Sequence, residues 1–399
     1  MSPSSKPPPP MEPGPIDVSL AATLVGLIAF GVVMVYSASA VYADRMYGDG
    51  THFLIRQTIF AAVAFVLLAA SSRIDISLLR RSTYPILLIA VVLMLAVALG
   101  FGRSAGGATR WLRIGPVNMQ PAELAKFAMI LWLVHSLAKK SHRVRSFSIG
   151  FLPHVIVMGL LMLLCLAQPD FGSAVMIALL TFVVLFAAGA KAGYLLGGVL
   201  VALPIGYAAI ASSPYRMRRI TAFLEPFEHR QGAGYQITES LLSFASGGWA
   251  GVGLGDGRQK LLFLPEAHTD FVSAIVGEEF GFLGVAALCL AFAWVVLRGL
   301  RAAWRSHDEY AGYLAAGMTL FIGLQAFTNL AVALGLLPTK GLALPFVSYG
   351  GSSLLVNAAA AGLILNVSRF AVEPAEEAAK SVKRKKVKPR MRTAEGGTR

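Results

Sequence analysis

The chain has 399 residues, of which 56% are hydrophobic and only 14% charged, with a formal net charge of +14. A mean hydropathy of +0.66 excludes an ordinary soluble globule and points to a polytopic membrane protein. The excess of Lys and Arg does not indicate nucleic-acid binding, because no soluble fold remains to present it.

In chain order, residues 1–16, rich in Pro and Ser, read as a disordered cytoplasmic leader. Apolar runs long enough to cross hydrocarbon as helices, about 20 residues each, lie near 17–40, 53–71, 83–101, 121–138, 149–167, 171–189, 193–212, 271–298, 310–335 and 350–368. The expected fold is therefore all-α: about ten transmembrane helices within 17–370, with a long periplasmic loop, about 213–270, between the seventh and eighth. Membrane β-strands would be about half as long and would alternate apolar with polar residues. Ser37-Ala38-Ser39-Ala40 resembles a signal cleavage site. However, the preceding apolar core exceeds the roughly 7–15 residues of a signal sequence, so the first helix is expected to be retained.

Short loops carrying Arg73, Arg80 and Arg81, then Lys139, Lys140, Arg143 and Arg145, then Arg298, Arg301 and Arg305 fall on one side. The positive-inside tendency makes that side cytoplasmic and puts both termini there. Residues 371–399, with Lys383-Arg384-Lys385-Lys386, read as a basic disordered tail beside anionic headgroups. Cys165 and Cys289 lie within spans and read as packing residues, and no His/Cys spacing suggests zinc. The Gly-rich 251–257 stretch follows no strand and lacks the Lys-Ser/Thr ending of a phosphate-binding loop, which disfavours an ATP-driven pump.

The opposite face is cationic against the charge rule: Arg103, Arg110 and Arg113 lie in the 102–120 loop, and Arg216, Arg218, Arg219, Arg230, Arg258 and Lys260 in 213–270. A bound anionic substrate or contact with outer-leaflet phosphates would each account for that. Ionisable groups also enter the spans, where they are costly unless paired or functional. Glu123 and Lys126, three residues apart, share a helix face and suit an ion pair. Asp170, in a break between two spans, suits a helix cap or a cavity lining. Glu278 and Glu279 suit structural hydrogen bonds within the bundle.

Asp270, where a polar Gly-rich segment gives way to an apolar helix, is the leading catalytic candidate. Burial raises a carboxyl pKa and nearby cations lower it, so such a residue can be tuned to take a proton near neutrality. Thr269 and Asp270 also immediately precede an apolar run, and N-capping is the commoner use of such residues.

Several motifs occur in one order: Arg110-Trp111-Leu112-x-x-Gly115, Gln120-Pro121-Ala122-Glu123-x-x-Lys126, Gln168-Pro169-Asp170, Tyr215-Arg216-x-Arg218-Arg219, the 247–255 glycine segment, Leu264 to Asp270 (LPEAHTD), and Leu344 to Ser353 (LPFVSYGGSS). Together they resemble the SEDS family (shape, elongation, division and sporulation), and more its division branch than its elongation branch. The resemblance implies a peptidoglycan glycosyltransferase of the bacterial inner membrane, at the division septum, that polymerises lipid II, a disaccharide-pentapeptide on undecaprenyl pyrophosphate. It implies Asp270 as general base. It places Glu123, Lys126, Arg110, Gln120, Asp170, Arg216, Arg218, Arg219, Lys260, Glu266, His268, Ser348 and Tyr349 as substrate-binding candidates. A Mg or Mn ion at the pyrophosphate is an open expectation. The partners implied are a class B penicillin-binding transpeptidase and other divisome proteins. Ala122, Phe171 and Ala343 depart from the family pattern without touching a charged position. A lipid II flippase and a non-catalytic division scaffold remain as alternatives.

Overall fold

The computed structural model describes residues 14–105, 108–115, 117–261, 263–306 and 308–370. The basic tail and most of the leader lie outside them. Twelve α-helices are present among the described residues: α1 Val18–Tyr47, α2 His52–Ser71, α3 Ile76–Ala96, α4 Pro121–Lys139, α5 Leu152–Ala167, α6 Phe171–Ala187, α7 Ala192–Ala211, α8 Pro214–Leu224, α9 Tyr235–Gly247, α10 Val272–Trp304, α11 Glu309–Ala333 and α12 Gly351–Ser368. Nine are long and apolar enough to cross a membrane; α6 is apolar but shorter. With α6 counted as a crossing the total is even, and the two ends of the described segment, Gly14 and Phe370, should share one face. They do: the Gly14 N–H donates to the Arg369 carbonyl at 2.8 Å, and Asp17 pairs with Arg298 at 2.6 Å. The basic loops gather at that face too, where Arg80 pairs with Asp308 at 3.0 Å.

Packing follows residue size. Gly362 lets α12 approach Ser71 on α2, and Gly299 lets α10 approach Thr319 on α11, where an added Cβ would collide with either side chain. α4 and α11 are enclosed on nearly all sides, whereas Leu195 is the one buried residue of α7. The apolar core accordingly has two lobes, one around α1 and α10–α12, the other around α3–α6.

Two features depart from the expected loops. Residues 103–119 form a small antiparallel meander, β1 Arg103–Ala105, β2 Ala108–Ile114 and β3 Val117–Met119, with Leu112 paired to Met119. The 213–270 segment is folded as well. It contains α8 and α9, and Ser240 on α9 bonds the Ala333 carbonyl of α11 at 2.7 Å. The 247–255 glycines have a structural purpose. α10 breaks at Gly281, which has φ of 63°, a left-handed conformation natural to glycine. The backbone groups freed there bond the glycine segment: Phe282 N–H to the Gly248 carbonyl at 2.9 Å, and Val252 N–H to the Glu278 carbonyl at 3.0 Å. Both acidic side chains beside the break are buried and satisfied. Glu278 accepts from the Arg258 N–H at 2.7 Å, and Glu279 pairs with Lys260 at 2.6 Å.

Candidate active site

Three loops meet at the end of the bundle opposite Gly14 and Arg369. The first is the Leu264–Asp270 turn. Glu266 adopts a positive φ of 56°, and its carbonyl accepts the N–H groups of Thr269, Asp270 and Phe271 at 3.2, 3.1 and 3.3 Å. A left-handed glutamate costs about 1–3 kcal/mol, and such strain persists where the surroundings over-determine it. Here it aims Asp270 inward. Asp270 does not cap α10: the cap position is Phe271, with no side-chain cap bond. The capping expectation is thereby corrected, because the turn onto Glu266 holds Asp270 one residue too early to reach the free N–H groups.

The second loop follows α11. Its Gly341 lies against the first: a Cβ there would stand 3.3 Å from Asp270 Oδ2 and 4.0 Å from Arg110 Nη1. Arg219, on α8, donates to the Thr339 carbonyl at 3.2 Å. Asn329, inside α11, donates to the carbonyls of Asp270 at 2.8 Å and Leu342 at 2.7 Å, clamping the two loops together. The third loop is the β meander with the α5–α6 turn. Arg110 on β2 donates to the Pro169 carbonyl at 2.5 Å and stands 4.0 Å from Asp170. Asp170 caps α6 through the Ser173 N–H at 3.1 Å and accepts from Gln120 at 3.3 Å. It therefore both caps a helix and lines the site.

The electrostatics follow from that assembly. Asp270 keeps part of its surface accessible while protein surrounds it densely. Burial, then Glu266, push its carboxyl up to about 7, against the lowering pull of Arg219 and Arg110. Burial also lowers the Lys340 pKa. The Arg110 Nε is buried with no hydrogen-bond partner, a donor free for an anion. One turn below Gln120, Lys126 and Glu123 form the expected pair at 2.7 Å, with Lys126 fully buried. Glu123 Oε2 has no partner there.

Other candidates lie apart from this centre. Arg216 bonds the Ala209 carbonyl at 2.7 Å and stacks over Phe171, flanking the site, while Arg218 is exposed. Lys260 is committed to Glu279 and to Ser37, the latter at 3.0 Å. His268 and Tyr349 pack with Tyr42 and Phe53 in an aromatic cluster, and burial lowers the His268 pKa and raises that of Tyr349. Ser348 accepts the Leu344 N–H at 2.9 Å and shapes its own turn. Asn329 and Lys340 are absent from the sequence-based set, though each is a polar or charged residue in or beside an apolar span, the signal that singled out Lys126.

The family model for FtsW, RodA and SpoVE, described as cell cycle protein, matches residues 18–373. The chain belongs to this family. Among family members, "Probable peptidoglycan glycosyltransferase FtsW" of Geobacter metallireducens is 46% identical over 353 residues, 88% of this chain and 94% of that one. The protein so named in Legionella pneumophila is 39% identical over 88% of this chain and 90% of its own. One similar solved structure comes from work described as structural coordination of polymerization and crosslinking by a peptidoglycan synthase complex. It has 27% identity, a TM-score of 0.73, and coverage of 89% of this chain and 98% of that one. The Rod shape determining protein RodA of Thermus thermophilus also matches, at 27% identity with a TM-score of 0.63, over 90% of this chain and 98% of its own. The family thus extends over the whole ten-helix region.

Proposed function

We propose that this chain is a peptidoglycan glycosyltransferase of the FtsW type, polymerising lipid II in the bacterial inner membrane during division. The observation that carries this reading is the convergence of Asp270 with Arg110 and Arg219 at one end of the bundle, beside the loop that carries Lys340. Its carboxyl, raised to about 7, suits a general base at neutral pH. The cations suit a pyrophosphate leaving group.

In this reaction Asp270 takes the proton from the 4-hydroxyl of one substrate's N-acetylglucosamine. That oxygen attacks C1 of the other substrate's N-acetylmuramic acid, and the C1–pyrophosphate oxygen bond breaks. The pyrophosphate carrier leaves with the bonding pair, its charge met by Arg110, Arg219 and Lys340. Inversion of the α-linked donor gives the β-1,4 bond, with no covalent enzyme intermediate. Lys126 steadies the same pyrophosphate from below, with Glu123 fixing its position.

No group of three His, Cys, Asp or Glu side chains among the described residues converges to hold a metal ion. The described residues alone therefore do not make a protein-held Mg or Mn site. The basic loops and both chain ends are assigned to the cytoplasm, with Asp270 facing the periplasm. A class B penicillin-binding transpeptidase is the partner, cross-linking the strands at the septum. The test is polymerisation of lipid II by the purified protein, with and without that transpeptidase. Glycan made only when this chain is present supports the reading. Substrate translocation in vesicles without polymer would support the flippase instead, and neither activity would leave a scaffold.

A further inference from the structure

At the end of the bundle opposite Asp270, a cavity of about 490 Å³ opens between α3, α4 and the start of α11. Arg80, His135, Lys139, Asp308, Glu309 and Tyr310 line it. Tyr310 is 1% exposed, and its hydroxyl lies within reach of the Thr83 side chain on α3 without making a bond of full hydrogen-bond geometry. Thr83, its neighbour on α3, bonds the Leu79 carbonyl at 3.2 Å. The buried Nδ1 of His135 is without a partner. Arg80 is preorganised: its guanidinium lies 4.5 Å over the Tyr310 ring and bonds Asp308 through Nη2 at 3.0 Å. Both bonds to Asp308 use Nη2, leaving Nη1 and Nε for another acceptor.

We infer that this cavity holds the headgroup of an anionic phospholipid of the cytoplasmic leaflet, a phosphodiester bearing free hydroxyls, of the phosphatidylglycerol class. Arg80, Lys139 and the Tyr310 hydroxyl supply donors for the phosphate. Glu309 supplies an acceptor for headgroup hydroxyls, which a bare cationic patch would lack. The surroundings favour a lipid over free phosphate. Tyr84, whose ring lies edge-on to His135 at 5.4 Å, begins a row with Leu88 and Val92 that is 56, 64 and 53% exposed. Residues four apart share one helix face, so this row leads from the cavity along the bilayer as a track for acyl chains.

The test is native mass spectrometry of the full-length protein titrated with dioctanoyl phosphatidylglycerol, dioctanoyl phosphatidylcholine, lipid II, and inorganic phosphate as competitor. Phosphatidylglycerol should be retained over phosphatidylcholine. Arg80→Gln and Lys139→Gln should each weaken it about fivefold, the effect of one cation near a membrane surface. Arg143→Gln, on the same face outside the cavity, should not. Because Arg80→Gln also removes the Asp308 pair, Tyr310→Phe serves as the second variant: it should weaken retention with melting temperature unchanged. Equal retention of both phospholipids would overturn the inference, as would equal loss in Arg143→Gln or no loss in Tyr310→Phe. Displacement by inorganic phosphate at matched concentration would assign the site to a free anion, and exclusive retention of lipid II would assign it to substrate; either result overturns the phospholipid.

Discussion

The side chain of Asn329 holds the main chain of Asp270: its Nδ2 donates to the Asp270 carbonyl at 2.8 Å while also donating to Leu342 at 2.7 Å. One amide thereby fixes the Leu264–Asp270 turn against the loop that carries Lys340. Asn329→Ala leaves two carbonyls without this donor, each costing about 1–3 kcal/mol where buried. It also frees Asp270 to shift, and a misplacement of about 1 Å can cost on the order of 100-fold in rate. Polymerisation should fall at least tenfold in a protein that still inserts, with the midpoint of its pH profile unmoved. A moved midpoint would show Asn329 acting on the Asp270 charge instead.

The pH dependence has a definite sign. A general base works when deprotonated, so activity should rise with pH through about 7, the value to which burial and Glu266 push Asp270, and then level off. Arg219 lowers that value and Glu266 raises it. Arg219→Gln should therefore move the rising limb to higher pH and Glu266→Gln to lower pH, read from initial polymerisation rates across pH 5.5–9 (about one unit either side of the midpoint is needed to see the limb). For stability, a carboxyl whose folded pKa exceeds its unfolded value binds the extra proton in the folded state. Its contribution is present at low pH and is lost as pH rises towards about 7. Asp270→Asn should melt no lower than the parent above that pH.

Lys126 and Glu123 are a buried pair at 2.7 Å, and removing one partner of such a pair costs about 3–5 kcal/mol. Lys126→Met alone should destabilise the protein, and adding Glu123→Gln should restore its melting temperature. If Lys126 also steadies pyrophosphate, the double variant folds but polymerises poorly. Recovery of both properties would reduce the pair to a structural role.

Gly281→Ala would place a Cβ 2.4 Å from the Gly251 nitrogen, at a φ of 63°. The glycine segment and broken α10 could not then share their backbone bonds. The variant should lose several degrees in melting temperature and much of its activity, while Gly26→Ala, where an added Cβ meets nothing within 4 Å, should change neither.

Nine spans and the shorter α6 were legible because each is an apolar run, and hydrocarbon thickness sets the length of a crossing helix. The meander and α8–α9 were not, since short strands and short amphipathic helices give no comparable signal. Asp270, Arg110 and Asp170, which the fold brings to one end of the bundle, were legible as charges placed at span boundaries. The role of Asn329 was hidden because one of its acceptors is a main-chain carbonyl 59 positions away, and carbonyls carry no sequence signature. Asp270 as a helix cap was the natural misreading. Only the left-handed Glu266 turn shows that its side chain is free for other work.

The most direct measurement is lipid II polymerisation by purified Asp270→Asn. The substitution keeps the size of the side chain and an acceptor oxygen, but its amide takes no proton at neutral pH. Loss of a general base costs about 10²–10⁴ in rate. The expected result is a folded, membrane-inserted protein that still binds lipid II and makes almost no glycan. Polymer formed at a near-normal rate would contradict Asp270 as the general base.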